Sequence, residues 1–173
     1  MPHPRTVAPT EIHAAIARLA AAIAGRHPPA ERVLLLGVAN GGIVLAQRLG
    51  AALPARAGVL DISFHRDDIG RHPIPKEFTP TLVPGDIQGA GVILVDDVLY
   101  TGRTVKAALD ELFDHGRPAW VELAVLVDRG GRRLPVAADY VGLRLAAGAG
   151  EKVIVALDNE APSRDKITVT RSM

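Results

Sequence analysis

The sequence of 173 residues contains no cysteine, which excludes disulfides and thiolate metal sites and makes a reducing compartment its natural setting. Aromatic residues amount to only 3%, so Ala, Val, Leu and Ile have to build the core. No apolar run approaches the roughly 20 residues that a bilayer-spanning helix requires. Residues 1–9 carry three prolines and no apolar stretch, unlike a secretory leader. Neither sign of charge dominates: 20 Lys and Arg stand against 19 Asp and Glu, a net charge of +1. Nothing in that balance draws the whole chain to nucleic acid. The expectation is a cytoplasmic protein with no membrane partner.

Apolar residues make up 48% and charged residues 23%, the composition of a globular fold. The length suits one domain over residues 1–173, with 1–9 as a flexible tail. Thr10 is placed to cap a helix to about residue 24, in which Ile12, Ile16, Leu19 and Ile23 form one apolar stripe. Gly25 reads as its stop. Buried strands are expected at 32–38, 58–64, 91–95 and 121–127, with shorter ones at 140–143, 152–157 and 167–170. Asn40-Gly41-Gly42 reads as a turn, followed by a helix over 43–53, and a further helix covers 103–115. Residues 65–89 form a long polar connection with four prolines, and such a segment is expected to be a mobile, functional loop. Strands alternating with helices give an α/β fold with an open, mainly parallel sheet flanked by helices, whose ligands sit at the carboxyl ends of the strands.

The segment VILVDDVLYTGRT at residues 92–104 carries the chemistry. A buried strand delivers Asp96 and Asp97. The chain then turns through Thr101, Gly102, Arg103 and Thr104 into a helix, whose first N–H groups lack intrahelical partners and face outward with the positive end of the helix dipole behind them. Gly102 lets an anion approach, and the threonine hydroxyls add donors. That is a phosphate cup. The carboxylates repel a phosphate and require a hydroxyl or a cation. A ribose 5-phosphate meets both demands, with its phosphate in the cup and its 2- and 3-hydroxyls on the aspartates. Neither the Walker pattern nor the dinucleotide glycine fingerprint is present.

This segment resembles the motif by which type I phosphoribosyltransferases bind 5-phosphoribosyl diphosphate (PRPP). Its wording is similar to that of one branch, the pyrimidine operon regulators that are also uracil phosphoribosyltransferases (PyrR). Further matches are HRDD at 65–68, GRP at 116–118, LAVLVDRG at 123–130, LP at 134–135, ADYVG at 138–142 and EKV at 151–153. The resemblance implies the type I fold, with a small hood from the C-terminal segments, and a reaction in which uracil displaces pyrophosphate from PRPP to give UMP. It implies Mg2+ as cofactor, held at Asp96 and Asp97 directly or through water or ligand, with those two residues and Arg66 as the catalytic set. PRPP and nucleotide contacts would come from Asn40, Gly41, Asp96, Asp97, Val98, Leu99, Tyr100, Thr101, Gly102, Arg103, Thr104, Arg129 and Val153, the last through its backbone. Residues 65–89 would close over the site, with Asp67 and Asp68 assisting magnesium or docking and Lys76 as a weaker candidate. Self-association as a dimer or larger assembly is implied as well.

The branch also binds messenger RNA through a basic surface on the first helix and on the segment after the Asp-Arg-Gly turn. Here the first helix reads HAAIAR at 13–18 with little positive charge, Gly131 stands where the branch has histidine, and Ala137 and Leu143 stand where it has basic residues. RNA-dependent regulation is therefore expected to be weakened or absent. Two alternatives stay open: an mRNA-binding attenuation regulator with weak or no catalysis, and a phosphoribosyltransferase for another base.

Overall fold

The computed structural model of this chain describes residues 5–29, 31–67 and 79–171. In chain order its elements are β1 (Arg5–Val7), α1 (Pro9–Arg26), β2 (Val33–Val38), α2 (Ala39–Ala52), β3 (Arg56–Leu60), β4 (Gly91–Leu99), α3 (Arg103–Asp114), β5 (Trp120–Asp128), β6 (Tyr140–Arg144), β7 (Glu151–Ala156), a 3-10 turn at Pro162–Arg164 and β8 (Lys166–Arg171). Five strands form a parallel sheet in the order β3-β2-β4-β5-β6. The other three form an antiparallel sheet in the order β1-β8-β7, the expected hood.

The period-2 alternation of strands explains the layers. Leu35, Ile93, Val95, Ala124 and Leu126 face α1 and α2 in one core. Their neighbours Leu34, Leu36, Val92, Leu94, Leu123 and Val125 face α3 in the other. Both faces are covered, which is why these strands are continuously apolar. The hood joins the first core through Val7, Val153, Ile167 and Val169. A polar bolt fixes it further. Arg48 on α2 holds the carboxylate of Asp165 at 2.5 and 2.9 Å and donates to the carbonyl of Asp158 at 2.6 Å. Asp165 is only 2% exposed. Its burial is outweighed by the Arg48 bonds, which hold its carboxyl below the usual range.

Several local expectations are corrected. Helix α1 starts at Pro9 after Ala8, with no side-chain cap from Thr10, and runs through Gly25 to Arg26. Part of the tail expected over 1–9 is strand β1, because Arg5, Thr6 and Val7 pair with β8 and so extend the hood. Asn40-Gly41-Gly42 is no separate turn. It is the first turn of α2, which follows β2 without a connecting residue. The expected strand at 58–64 instead covers Arg56–Leu60, and β4 continues through the aspartates to Leu99.

Candidate active site

Strand order places the site. After β2 the chain moves to β3 on one side, and β4 is followed by β5 and β6 on the other. The carboxyl ends of β2 and β4 therefore flank the switch point at which open α/β sheets bind ligands. The first turn of α2 follows β2, and Asp96 and Asp97 lie at the end of β4. The two meet closely. A Cβ on Gly41 would lie 2.1 Å from Asp97 Oδ2, and one on Gly42 would lie 2.3 Å from the carbonyl oxygen of Val95. These glycines stand here because the helix start presses against β4, with no room for a side chain.

The two carboxylates are not equivalent. Asp97 is half-buried, whereas Asp96 is only 4% exposed. Asp96 Oδ1 accepts the backbone N–H of Asp97 at 2.9 Å, and Asp97 Oδ1 accepts that of Val98 at 2.8 Å. Burial, and then the charge of Asp97, push the Asp96 carboxyl well above the usual carboxylate range. A buried carboxyl shifted so far by burial and a neighbouring charge is a common mark of a functional site.

The turn between β4 and α3 is held by a second segment, residues 129–134, wrapped around it. Between β4 and α3, Gly102 takes the left-handed conformation at φ 95° and caps the helix without a side-chain bond. Carbonyl oxygens would repel a phosphate, and those of the turn are drawn elsewhere. Leu99 O accepts from Arg129 N at 3.1 Å, and Thr101 O from Arg133 N at 2.9 Å and Leu134 N at 3.0 Å. Arg132 Nη1 donates to Tyr100 O at 2.7 Å, while its Nη2 grips both carboxylate oxygens of Asp128 at 2.7 and 2.6 Å. These carbonyls are thereby engaged within the protein. Thr101 Oγ1 accepts from Arg103 N at 3.3 Å, and its own O–H remains a donor.

A cavity of about 210 Å3 is lined by Asn40, Gly41, Val44, Val155, Ala156 and Leu157. It joins the start of α2 to the hood strand β7 and is smaller than a drug-sized pocket. Val153 lies one turn of the pleat earlier, its side chain buried in the core; any ligand contact there belongs to its backbone. Arg129 is 5% exposed. It sits beneath the hood rather than lining an open surface, and its guanidinium donates to the carbonyls of Glu151, Ala147 and Gly148.

A model of the phosphoribosyl transferase domain matches residues 9–157. The chain belongs to the phosphoribosyl transferase family. Relatives named bifunctional protein PyrR include that of Deinococcus radiodurans, 50% identical over 156 residues, 85% of this chain and 84% of that protein. That of Corynebacterium efficiens is 49% identical over 149 residues, 82% of this chain and 77% of that protein. That of Ralstonia nicotianae is 43% identical over 157 residues, 90% and 88% respectively. The PyrR resemblance read from the motif thus holds over most of the chain. Among solved structures, a hypoxanthine-guanine phosphoribosyltransferase from Bacillus anthracis superposes with a TM-score of 0.69 at 19% identity, covering 95% of this chain and 96% of that one. At that identity the likeness shows the type I phosphoribosyltransferase fold alone.

In this phosphoribosyltransferase the stems of the long loop meet α3 at Glu111, a residue that the sequence did not single out. Glu111 accepts the hydroxyl of Thr81 at 2.7 Å and lies 3.1 Å from His65 Nε2 and 2.9 Å from His115 Nε2. His65, Glu111 and Asp114 are the one group among the described residues with the spacing to hold a metal ion. Their mutual ion pairs already account for the arrangement. Arg103 Nε lies 3.2 Å from Asp67 Oδ2, linking the cup helix to the loop stem. Arg66 is exposed and engaged by its surroundings. Asp68 and Lys76 lie outside the described residues. Among the described residues no helix is long and apolar enough to cross a membrane.

Proposed function

We propose that this chain is a uracil phosphoribosyltransferase of the PyrR type. Uracil N1 attacks C1 of PRPP, the bond from C1 to the pyrophosphate oxygen breaks, and the N1 proton is lost, giving UMP and pyrophosphate. The observation that carries this reading is the juxtaposition of Asp97 with the start of α2 at the sheet's switch point, beside a turn whose carbonyls are tied away. The amides of residues 101–104 would hold the 5-phosphate. Asp97, the less buried carboxylate, would take the ribose hydroxyls together with Asp96, and Asn40 and Gly41 would line the pyrophosphate side. Arg66 would neutralise the departing group, and the hood would take the base.

The donor set fits magnesium: two adjacent carboxylates offer hard oxygen ligands, and this ion is usually held by one or two carboxylates plus substrate oxygens. Asp97, with Asp96 behind it, would hold Mg2+, which neutralises pyrophosphate charge when bound. The protein's own share is positioning and charge complementarity. Self-association and a cytoplasmic setting belong to the same proposal.

The test is a panel of uracil and purine bases assayed with PRPP and magnesium. UMP and pyrophosphate formed from uracil alone support the reading. Transfer to a purine with none to uracil refutes it.

Regulation through messenger RNA is proposed to be weakened. The cations of α1 serve the fold: Arg18 donates to Gly142 O at 3.1 Å, and Arg26 pairs with Glu122 at 2.8 Å. Beyond the turn, Asp128 partners both Arg132 and Arg144. Fewer cations for phosphates flatten the salt slope and weaken binding together. In a gel shift with leader RNA, tight binding at moderate salt that responds to uridine nucleotides would overturn this.

A further inference from the structure

We infer that Arg129 is a positioning residue that ties the base-binding hood to the phosphate cup through the ring of Tyr100; this rests on the reading just proposed and assigns a division of labour within the site. The geometry is specific. The Arg129 guanidinium bonds the carbonyls of Glu151 at 2.8 Å, Gly148 at 3.1 Å and Ala147 at 3.2 Å, which form the entry to β7. Its Cζ lies over the Tyr100 ring, 3.8 Å from the centroid, a close cation–π contact. Tyr100 is the first residue of the turn that leads into the cup.

Three further facts make this a built arrangement. Arg129 Nε is buried without a hydrogen-bond partner, a cost a guanidinium bears when its other contacts hold it in place. The ring of Tyr100 packs against Gly131, where an added Cβ would lie 2.4 Å from Tyr100 Cε2. Gly131 itself has φ +77°, so both its conformation and its missing side chain leave the ring that place. Meanwhile the cup's carbonyls are held by Arg132 and by backbone amides, independently of the Arg129 side chain. Loss of the Arg129 guanidinium therefore loosens the entry to β7 and leaves the cup formed. Lysine retains the charge but not the fork that reaches several carbonyls at once.

The test compares Arg129→Met, Arg129→Lys, Tyr100→Ala and the Arg129→Met/Tyr100→Ala double variant. Amide exchange is read over β7 and over residues 99–104, and KM is read for uracil and for PRPP. In Arg129→Met the β7 amides exchange at least tenfold faster while those of 99–104 stay within twofold. The KM for uracil rises tenfold or more, and that for PRPP changes less than threefold. Arg129→Lys recovers less than half of the exchange protection on a logarithmic scale. Tyr100→Ala shifts β7 in the same direction, and the double variant shows less than the product of the single effects, because the two residues act through one contact. Unchanged β7 exchange with weakened nucleotide binding would make Arg129 a direct ligand contact and overturn the proposal. So would equal shifts in both KM values, or multiplicative single effects. Should Arg129→Met fail to fold, Tyr100→Ala alone decides by its β7 exchange. The exchange result is independent of substrate identity, so a protein inactive on uracil would refute the proposed function and leave this inference standing or falling by itself.

Discussion

Replacing Gly41 by alanine tests the site at its tightest point. Alanine inside a helix is ordinarily favoured over glycine by about 1 kcal/mol, and Gly41 lies in the first turn of α2. Here the new methyl would stand 2.1 Å from Asp97 Oδ2, 2.3 Å from Cγ and 2.9 Å from Cβ, where ordinary contact begins at 3.4 Å. Rotation about χ1 moves the carboxylate but leaves Cβ where it is, so the helix start has to shift as well. Overpacking of this kind costs roughly 1–3 kcal/mol. Offset by the helix preference, the net loss is about 0–2 kcal/mol, and the fold survives. The carboxylate, displaced by more than about 1 Å, no longer meets its ligand, a change on the order of a hundredfold in rate. The assay is UMP formation from uracil and PRPP beside a thermal melt. Gly25→Ala is the control, because it lies in α1 with nothing within 4 Å of an added Cβ. It should gain about 0.5–1 kcal/mol and keep full activity. A Gly41→Ala protein with kcat/KM near that of the parent would refute the assignment of Asp97 to the ligand.

Asp96→Asn should raise Tm at neutral pH while abolishing transfer. The Asp96 carboxyl is raised by burial and by Asp97, so its contribution to stability is fully present below the ordinary carboxylate value and is lost as pH rises through the folded-state one; melts at pH 5 and pH 8 give the gain as larger at pH 8. His27 lies between Glu31 and Glu122, 2.8 Å from each, and their hydrogen bonds outweigh burial and raise its pKa above 6.5. His27→Gln should therefore cost most stability below about pH 6.5 and least once pH has passed the raised value, as read from Tm against pH. Glu111→Ala removes the shared acceptor of both loop stems, for about 1–3 kcal/mol. Burial notwithstanding, bonds from Thr81 and His115 lower the Glu111 pKa, so the gap in Tm between parent and variant should close as pH falls through that lowered value.

The parallel sheet and the passage from β4 into α3 were legible because each rests on local pattern: continuous apolar runs for strands buried on both faces, and a strand, an acidic pair and a threonine-glycine turn in direct succession. Strand β1 escaped because its partner β8 lies at the other end of the chain, and three residues carry no period of their own. Asn40-Gly41-Gly42 misled for a different reason. Glycines read as a turn, yet these serve a helix start pressed onto β4, a fact of packing that spacing does not encode. The inequality of Asp96 and Asp97 is likewise tertiary, arising from how deeply the end of β4 is covered. Arg129 was placed near the ligand by resemblance, and its bonds beneath the hood, to carbonyls some 20 residues further along, are a fact of folding that spacing does not encode. Glu111 carried no signal, being one more acid on an exposed-looking helix, until the folded loop stems brought Thr81 and His65 to it.

Titrating PRPP with magnesium into the parent protein and into the Asp96→Asn, Asp97→Asn double variant, by calorimetry, asks most directly whether this pair and the neighbouring turn grip one phosphoribosyl group. The parent should bind saturably at one site per chain, and the double variant, folded by its melt, should bind at least a hundredfold more weakly. Equal affinity in the two proteins, or no binding by the parent, would contradict it.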